Sequence, residues 1–565
     1  GGLEYNGEFV PLPRILEALR EERDYVILGD GSFGVLPLDW LLHYTMLTEF
    51  AVPEGDALRL GASQMYLLNT LIEKLGIVPE AEAAAARQRL LETSAVCSPV
   101  PAPAGFVGTL RHYQEAGLGW MLFLQKLGFG GCLADDMGLG KTVQVLAMLQ
   151  HRHNDKAKKP SLLVLPRSLV FNWEQEAQRF APHLRLHFHL GGDRMRRLPL
   201  VSQADVVLTT YGTLRRDAPS LRHFHFDVCI LDEAQAIKNA GSGAAKAVRL
   251  IRADHRLAMT GTPVENSLAD LLSLFEFLNP GLIQYAAVFR RLQGAGRPLG
   301  AAEAAQLRQA VAPLILRRTK LQAAPELPPK TEQILWCDMT PPQRHQYEDL
   351  KAYYRQTLLR QETEQAPARL ETLSALLRLR QAACHPGLID STLRDLPSGK
   401  VELILERLQE LLAEGHKILL FSQFVRFLRL LQERLAILGA PHSYLDGQTV
   451  DRQAEVETFQ NSAGARVFLI SLKAGGVGLN LTAADHVFLV DPWWNPAVEN
   501  QAIDRAFRIG QARHVFAYRF ITRGTVEEKI VQMQDRKRRI SEAVILPQAE
   551  AASLLSQESL RFLLE

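Results

Sequence analysis

Leu133-Ala-Asp-Asp-Met-Gly138-Leu-Gly140-Lys141-Thr142, followed at once by Val143-Gln-Val-Leu-Ala-Met-Leu149, is the stretch on which the reading of this chain turns. The end of an apolar strand runs into a glycine-bearing turn and then into strong helix formers. Glycines let a backbone fold closely around phosphate oxygens, and a helix N-terminus aims N–H groups and partial positive charge at them. Lys141 supplies a mobile cation for terminal phosphates, and Thr142 a hydroxyl for Mg²⁺. The strict phosphate-loop pattern asks for glycine five residues before Gly140, where this chain has Asp135. An ordinary glycine-rich helix start is therefore the competing reading of this stretch alone.

Val228-Cys-Ile-Leu-Asp232-Glu233-Ala-Gln235 follows about 90 residues later. It is an apolar strand ending in two carboxylates. A carboxylate at a buried strand tip can hold Mg²⁺ through water, and its neighbour can polarise a water attacking a terminal phosphate. In isolation Asp-Glu after a strand is a common solvated turn; behind a phosphate loop the chemical reading is the better one. Far downstream, Gln501-Ala-Ile-Asp504-Arg505-Ala-Phe-Arg508-Ile-Gly510-Gln511 spaces Arg505 and Arg508 at i, i+3, on one face of a helix. Such a pair is often a surface patch, but it also suits a clamp on a transferred phosphoryl group.

Around these elements the apolar runs set the fold class. Leu162–Leu165, Val206–Thr209, Val228–Leu231 and Leu257–Thr260 alternate with amphipathic stretches, as do Lys417–Phe421, His442–Leu445, Val467–Ile470, His486–Val490 and Val515–Ile521. The pattern predicts an α/β protein with two parallel sheets flanked by helices. Between the sheets it predicts helix from about Ser267 to Thr319, a break at Leu327-Pro-Pro-Lys330, and a second helical block to about His385. Residues 1–98 read as mixed or helical, with a helix-like run over Glu80–Leu91, and Pro99–Gly105 reads as a linker.

The bulk properties fit. A chain of 565 residues, 47% apolar and 22% charged, has material for several cores. A net charge of +2 leaves nucleic-acid binding to a local basic groove. Cys97, Cys132, Cys229, Cys337 and Cys384 show no zinc or disulfide spacing, and no apolar run reaches a membrane span, so a cytoplasmic setting is expected. The opening Gly1-Gly2, without methionine, suggests a fragment or a processed chain.

Taken in order, the segments resemble the Swi/Snf-type ATPases of helicase superfamily two, from about Gly105 to about Ile540. Leu110-Arg-His-Tyr-Gln114 is similar to the family's adenine segment, which implies Arg111 and Gln114 as nucleotide contacts alongside Asp136, Met137, Gly138, Leu139, Gly140, Lys141, Thr142, Gly478 and Gln501. The family's loop normally reads Asp-Glu-Met and lacks the strict first glycine, so Asp135 fits it and Asp136 is a mild departure. The resemblance implies Lys141, Asp232, Glu233, Arg505 and Arg508 as the catalytic set, with Thr142 and Asp232 on Mg²⁺. Leu165-Pro-Arg-Ser-Leu-Val-Phe-Asn172-Trp173, Leu208-Thr-Thr-Tyr-Gly212, Ile418–Phe424, Ser471–Leu481 and Asp491-Pro-Trp-Trp494-Asn-Pro496 resemble its strand-tracking and lobe-two segments. They imply Asn172, Thr209, Thr210, Lys238, Ser471, Lys473, Gly475 and Trp494 as DNA contacts, though each polar residue alone also reads as a solvated side chain. Thr260-Gly-Thr-Pro-Val-Glu-Asn266 resembles the segment linking ATP state to lobe movement, and Leu316-Arg-Arg-Thr-Lys320 the start of the inter-lobe connection. Gln235 and Phe507 stand where the family usually has histidine.

The implied architecture is a helicase-associated domain over 1–98, resembling the module that precedes the motor in bacterial members, then a first RecA-like lobe over 99–320 with a helical insertion at about 267–316. A linker with insertion at 321–399, a second lobe at 400–525 and a helical brace at 526–565 follow. The implied function is an ATP- and Mg²⁺-using translocase on double-stranded DNA. It would displace or remodel DNA-bound proteins such as RNA polymerase, as a monomer, near the nucleoid. A strand-separating helicase shares the lobes, but the Trp-Asn-Pro and Asp-Arg-Ala-Phe-Arg-Ile-Gly-Gln segments point to the duplex translocase. A non-catalytic scaffold would be expected to have lost Lys141, Glu233 or the arginines, and all are present. A regulatory ATPase acting on a protein is the remaining alternative.

Overall fold

The computed structural model describes residues 98–155, 159–261, 268–280, 312–361, 368–461, 465–475, 479–494 and 496–543; before residue 98 it describes segments 2–5, 8–11, 14–15, 18, 25–36, 52–54 and 57–59. The helix expected at Glu80–Leu91 lies outside these residues, as does most of the insertion at 267–316. The chain folds as two units. The first comprises Gly1–Asp135 with Lys141–Arg318, and the second Asp136–Gly140 with Thr319–Glu565.

The described part of the N-terminal region is mostly strand rather than helix. Its three antiparallel pairs are β1 (Gly2–Tyr5) with β2 (Glu8–Pro11), β3 (Tyr25–Ile27) with β4 (Phe33–Val35), and β5 (Val52–Glu54) with β6 (Ala57–Arg59). Between β3 and β4 the turn explains why. Gly31 takes φ +83°, and the Asp30 carboxylate accepts the Ser32 N–H at 2.9 Å, which is hairpin chemistry.

The first unit is built on seven strands: β7 (Gly131–Leu133), β8 (Ser161–Leu165), β9 (Leu186–Phe188), β10 (Val206–Thr210), β11 (His225–Leu231), β12 (Arg252–Met259) and β13 (Ile315–Leu316). They lie in the order β13-β7-β12-β11-β8-β10-β9, every pairing parallel. Helices α1 (His112–Lys126), α2 (Lys141–Asn154), α3 (Val170–Phe180), α4 (Tyr211–Leu221) and α5 (Gly243–Arg249) connect or flank them. All five residues of β8 and of β10 are buried, the expected state of a parallel strand covered on both faces.

The second unit has its own parallel sheet, ordered β14-β19-β18-β15-β17-β16: β14 (Lys330–Cys337), β15 (Ile418–Ser422), β16 (His442–Leu445), β17 (Val467–Ser471), β18 (His486–Leu489) and β19 (Val515–Thr522). Strand β14 corrects the sequence reading, which placed only helix after the Pro-Pro break. It is an edge strand, paired over all eight residues with β19, and its first four residues are exposed. A half-exposed edge carries little apolar signal, so Lys330-Thr-Glu-Gln333 does not announce a strand. Helices α6 (Pro341–Gln361) and α7 (Ala368–Cys384) follow it as expected. Apolar cores cover both faces of this sheet, one including Leu420, Leu469 and Phe488, the other Leu419, Phe468 and Val487. Helix α8 (Gly399–Ala413) contributes Lys400, whose ammonium is fully buried against Glu527 at 2.6 Å. Among the described residues four cysteines are free and buried, and no helix is long and apolar enough to cross a membrane.

Candidate functional site

Parallel strands deliver all their carboxyl ends to one edge, where open α/β sheets bind ligands. In the first unit, Leu133 at the end of β7 is in register with Met259, and Ala258 with Leu231. The loop after β7, the Asp232-Glu233 pair after β11 and Thr260 after β12 therefore emerge side by side.

The loop Ala134–Gly140 leads straight into α2, which starts at Lys141. Gly138 and Gly140 have φ of +90° and +71°, the left-handed conformation that only glycine adopts without strain. Leu139 is fully buried and anchors the loop. The Lys141 ammonium donates to the Asp135 carbonyl at 2.5 Å, holding the loop on itself, and Thr142 sits beside it in the first helical turn. Asp136 accepts the Lys320 N–H at 3.0 Å. Gln114 is buried, and its side-chain oxygen accepts the Arg111 N–H at 3.0 Å, capping α1.

At the tip of β11, Asp232 is buried, with one carboxylate oxygen accepting from the Trp173 indole at 2.7 Å and the other from the Glu233 N–H at 2.9 Å. Burial, and then the charge of Glu233, push its carboxyl up to about 7. Glu233 has φ +50°, the one positive φ among the described non-glycine residues. A strained backbone at that position turns its side chain off the strand line. Gln235 donates to the Glu233 carboxylate at 2.7 Å and its own oxygen accepts from the Thr260 hydroxyl at 3.3 Å. An amide can donate to a carboxylate and accept from a hydroxyl at once, so Gln235 links Glu233 to the end of β12. Neither this link nor the Trp173 indole bond to Asp232 is legible in the sequence, where Trp173 carries only a strand-tracking signal.

Three expected DNA contacts, Thr209, Thr210 and Ser471, are placed differently from the sequence reading. Thr209 is fully buried and its hydroxyl donates to the His189 carbonyl at 3.2 Å, so it presents no side-chain surface to a phosphate. Thr210 caps α4, accepting the Thr213 N–H at 3.2 Å. Ser471 is buried and accepts the Ala474 N–H at 3.2 Å. These hydroxyls shape the strand ends rather than reaching outward. Trp494 is half-buried and packs with Met339, Leu376 and Leu379 in a core cluster, under the Arg380 guanidinium at 5.7 Å. Lys238 is exposed and Asn172 half-exposed. Lys473 and Gly475 lie in a short helical turn after β17, while Gly478 falls outside the described residues.

In the second unit, helix α12 is preceded by α9 (Val425–Ile437), α10 (Arg452–Asn461) and the turn Leu472–Gly475, counted as α11; α12 itself spans Pro496–Ile503 and carries Gln501 in its last turn. Arg505 and Arg508 do not lie on this helix, which corrects the expectation of a shared helical face. The Arg505 carbonyl accepts from Leu481 at 3.0 Å, not from a following helical N–H, and the chain passes into turns. Arg505 is nevertheless buried, and Arg508 donates to the Leu479 carbonyl at 3.4 Å. Phe507 lies under two lysines, Lys320 at 4.6 Å and Lys330 at 5.7 Å from its ring centre. Lys320 also pairs with Asp504 at 2.6 Å. A phenyl face attracts both ammonium groups, where an imidazolium would repel them.

Both units match known proteins. Residues 113–388 match the SNF2-related domain and residues 400–510 the helicase conserved C-terminal domain. A Bacillus subtilis protein named as an ATP-dependent helicase/translocase is 39% identical over 468 residues, 80% of this chain and 50% of its own length. A human SWI/SNF-related regulator of chromatin, subfamily A member 1, is 33% identical over 83% of this chain and 46% of its own. The solved SWI2/SNF2 ATPase core of Sulfolobus solfataricus in complex with double-stranded DNA is 35% identical, covering 83% of this chain and 98% of that one, with a TM-score of 0.40. The chain spans about half the length of the curated relatives it matches. The SNF2-related and helicase C-terminal matches, together with the identities to the Bacillus subtilis and human proteins, converge on one conclusion: the chain belongs to the SNF2 family of helicase-like ATPases.

Proposed function

We propose that this chain is a DNA-dependent ATPase motor that couples hydrolysis to translocation along double-stranded DNA without separating its strands. The observation that carries the reading is the shared edge of the first sheet, where Lys141 and the Asp232-Glu233 pair emerge beside a glycine-bearing loop. A solved relative named as bound to double-stranded DNA supports the duplex as track.

In this reading ATP phosphates settle on the loop and Lys141 exchanges the Asp135 carbonyl for a phosphate oxygen. The Thr142 hydroxyl and, through water, Asp232 would hold Mg²⁺. Each Asp232 oxygen accepts one hydrogen bond and keeps a second acceptor site, and its buried carboxyl suits a cation that favours the ionised form. The bound ion supplies charge neutralisation at the phosphates. Gln235 fixes one Glu233 oxygen, leaving the other to orient the attacking water and accept its proton. Arg505 and Arg508 stabilise the charge developing on the transferred group. Gln114 and Arg111 would meet the adenine, with Gln501 and the segment at Gly478 on the lobe-two side. Lys238, Asn172, Lys473, Gly475 and Trp494, with backbone amides near Thr209, Thr210 and Ser471, would track the duplex. The reading extends to action on DNA-bound proteins such as RNA polymerase, as a monomer at the nucleoid, while the helicase/translocase name of the Bacillus subtilis relative supports only movement along a nucleic acid.

The test compares ATPase rates with duplex DNA, single-stranded DNA and RNA, alongside triplex displacement and strand-separation assays. Stimulation by duplex with displaced triplex and intact duplex is expected. Preference for single strands with unwinding would instead establish a strand-separating helicase.

A further inference from the structure

The sequence places Arg318 only at the start of the inter-lobe connection, yet its side chain lies inside the first unit among the parts of the nucleotide site. Its Nε and one terminal nitrogen hold the Asp135 carboxylate at 2.9 and 2.5 Å. The same nitrogen donates to the Gln144 side chain at 2.9 Å, and the other to the Tyr113 carbonyl. Gln144 in turn donates to Asp135 at 3.1 Å, and the guanidinium lies 5.1 Å from the Tyr113 ring centre. Asp135 and Gln144 are fully buried. One planar cation thus ties three elements: the start of α1 beside Gln114, the residue opening the phosphate loop, and the first turn of α2. Asp135 occupies the position where the strict loop pattern has glycine, and its carboxylate is committed to this knot.

A second observation shows that the chain makes room for it. Gly117 sits in the middle of α1, where glycine costs about 1 kcal/mol relative to alanine. A Cβ there would lie 2.0 Å from the Gln144 oxygen and 2.9 Å from Arg318 Nη2. The helix gives up propensity at the position that faces the knot.

We propose that Arg318 is a positioning residue for nucleotide binding, fixing the adenine segment of α1 against the phosphate loop through Asp135 and Gln144. This rests on the ATP site proposed above. A ligand spanning both segments should feel the loss of Arg318, and one that touches only the phosphate loop should not.

The test uses the full chain with two probes, mant-ADP for the whole site and inorganic tripolyphosphate for the loop alone. Arg318→Gln, with Arg318→Lys as a milder second variant because lysine cannot bridge three acceptors, is expected to weaken mant-ADP about tenfold, while tripolyphosphate competition moves less than about twofold. Gly117→Ala should weaken mant-ADP in the same direction, and combined with Arg318→Gln it should add little, since both break one knot. Unchanged mant-ADP affinity, equal weakening of both probes, or fully additive effects of the two substitutions would overturn the proposal. A wild-type chain that does not bind mant-ADP would instead overturn the ATP-site reading itself.

Discussion

Asp232 takes its behaviour from where β11 ends. The strand carries it into a buried position, its two oxygens accept one hydrogen bond each among the described residues, and the neighbouring Glu233 adds like charge. A carboxyl on an unfolded chain ionises near about 4, whereas this one is held up to about 7. Between those values the folded protein retains a proton that the unfolded chain has released, so raising the pH costs stability across that window and no more above it. Asp232→Asn removes the titration while keeping the shape. In metal-free buffer the melting temperature of wild type minus that of the variant should fall from about pH 4 to about pH 7 and then level off. A difference that stays flat or rises would mean the buried carboxyl is already ionised at the acid end. Local contacts also explain two substitutions for histidine. Gln235 keeps Glu233 linked to Thr260, and Phe507 offers a π face to Lys320 and Lys330.

Among the elements, the turns after α12 differ most from a reading based on spacing. Arg505 and Arg508 are three residues apart, but the Leu481 N–H takes the Arg505 carbonyl and the helix stops at Ile503. Burial of Arg505 by tertiary contacts therefore replaces a helical face as the device that orients it. Arg505→Ala is expected to lower DNA-stimulated turnover about a thousandfold, the range of an arginine finger, while ATP affinity changes little. Measured side by side with Glu233→Gln, which should also bind without hydrolysing, equal loss of binding and turnover in Arg505→Ala would remove the finger role. The buried elements are legible because parallel strands covered on both faces are short continuous apolar runs; β8, β10, β11, β15, β16 and β17 follow those runs within a few residues. The strands without such a signal are either at an edge, as in β14, or too short to carry a pattern, as in β13. In the candidate site, residue types are legible and hydrogen-bond partners are not. Nothing in the spacing of Arg318, Asp135 and Gln144 announces that they meet, because they are brought together by β13 pairing with β7.

For the whole molecule, a net charge of +2 over 565 residues means that grip on a polyanion must come from local placement rather than from an overall field. The burial of Thr209, Thr210 and Ser471 reinforces this, since their hydroxyls are engaged within the protein and, on the proposed reading, contact at those strand ends would fall to backbone amides. Amides hold phosphates without releasing counterions, so the salt dependence of DNA binding counts only the lysines and arginines that touch the duplex. With the two lysines of the proposed track, Lys238 and Lys473, raising salt from about 50 to about 200 mM should increase the DNA concentration for half-maximal ATPase stimulation about tenfold, while the KM for ATP without DNA changes little. Lys238 is exposed just beyond the Asp232-Glu233 strand tip, where a cation can meet the track without entering the nucleotide site. Lys238→Ala should therefore reduce the log–log salt slope by about one while leaving the basal rate unchanged. A slope that stays the same would place Lys238 off the duplex, and a slope near zero in the unaltered chain would mean that no lysine or arginine holds the DNA phosphates.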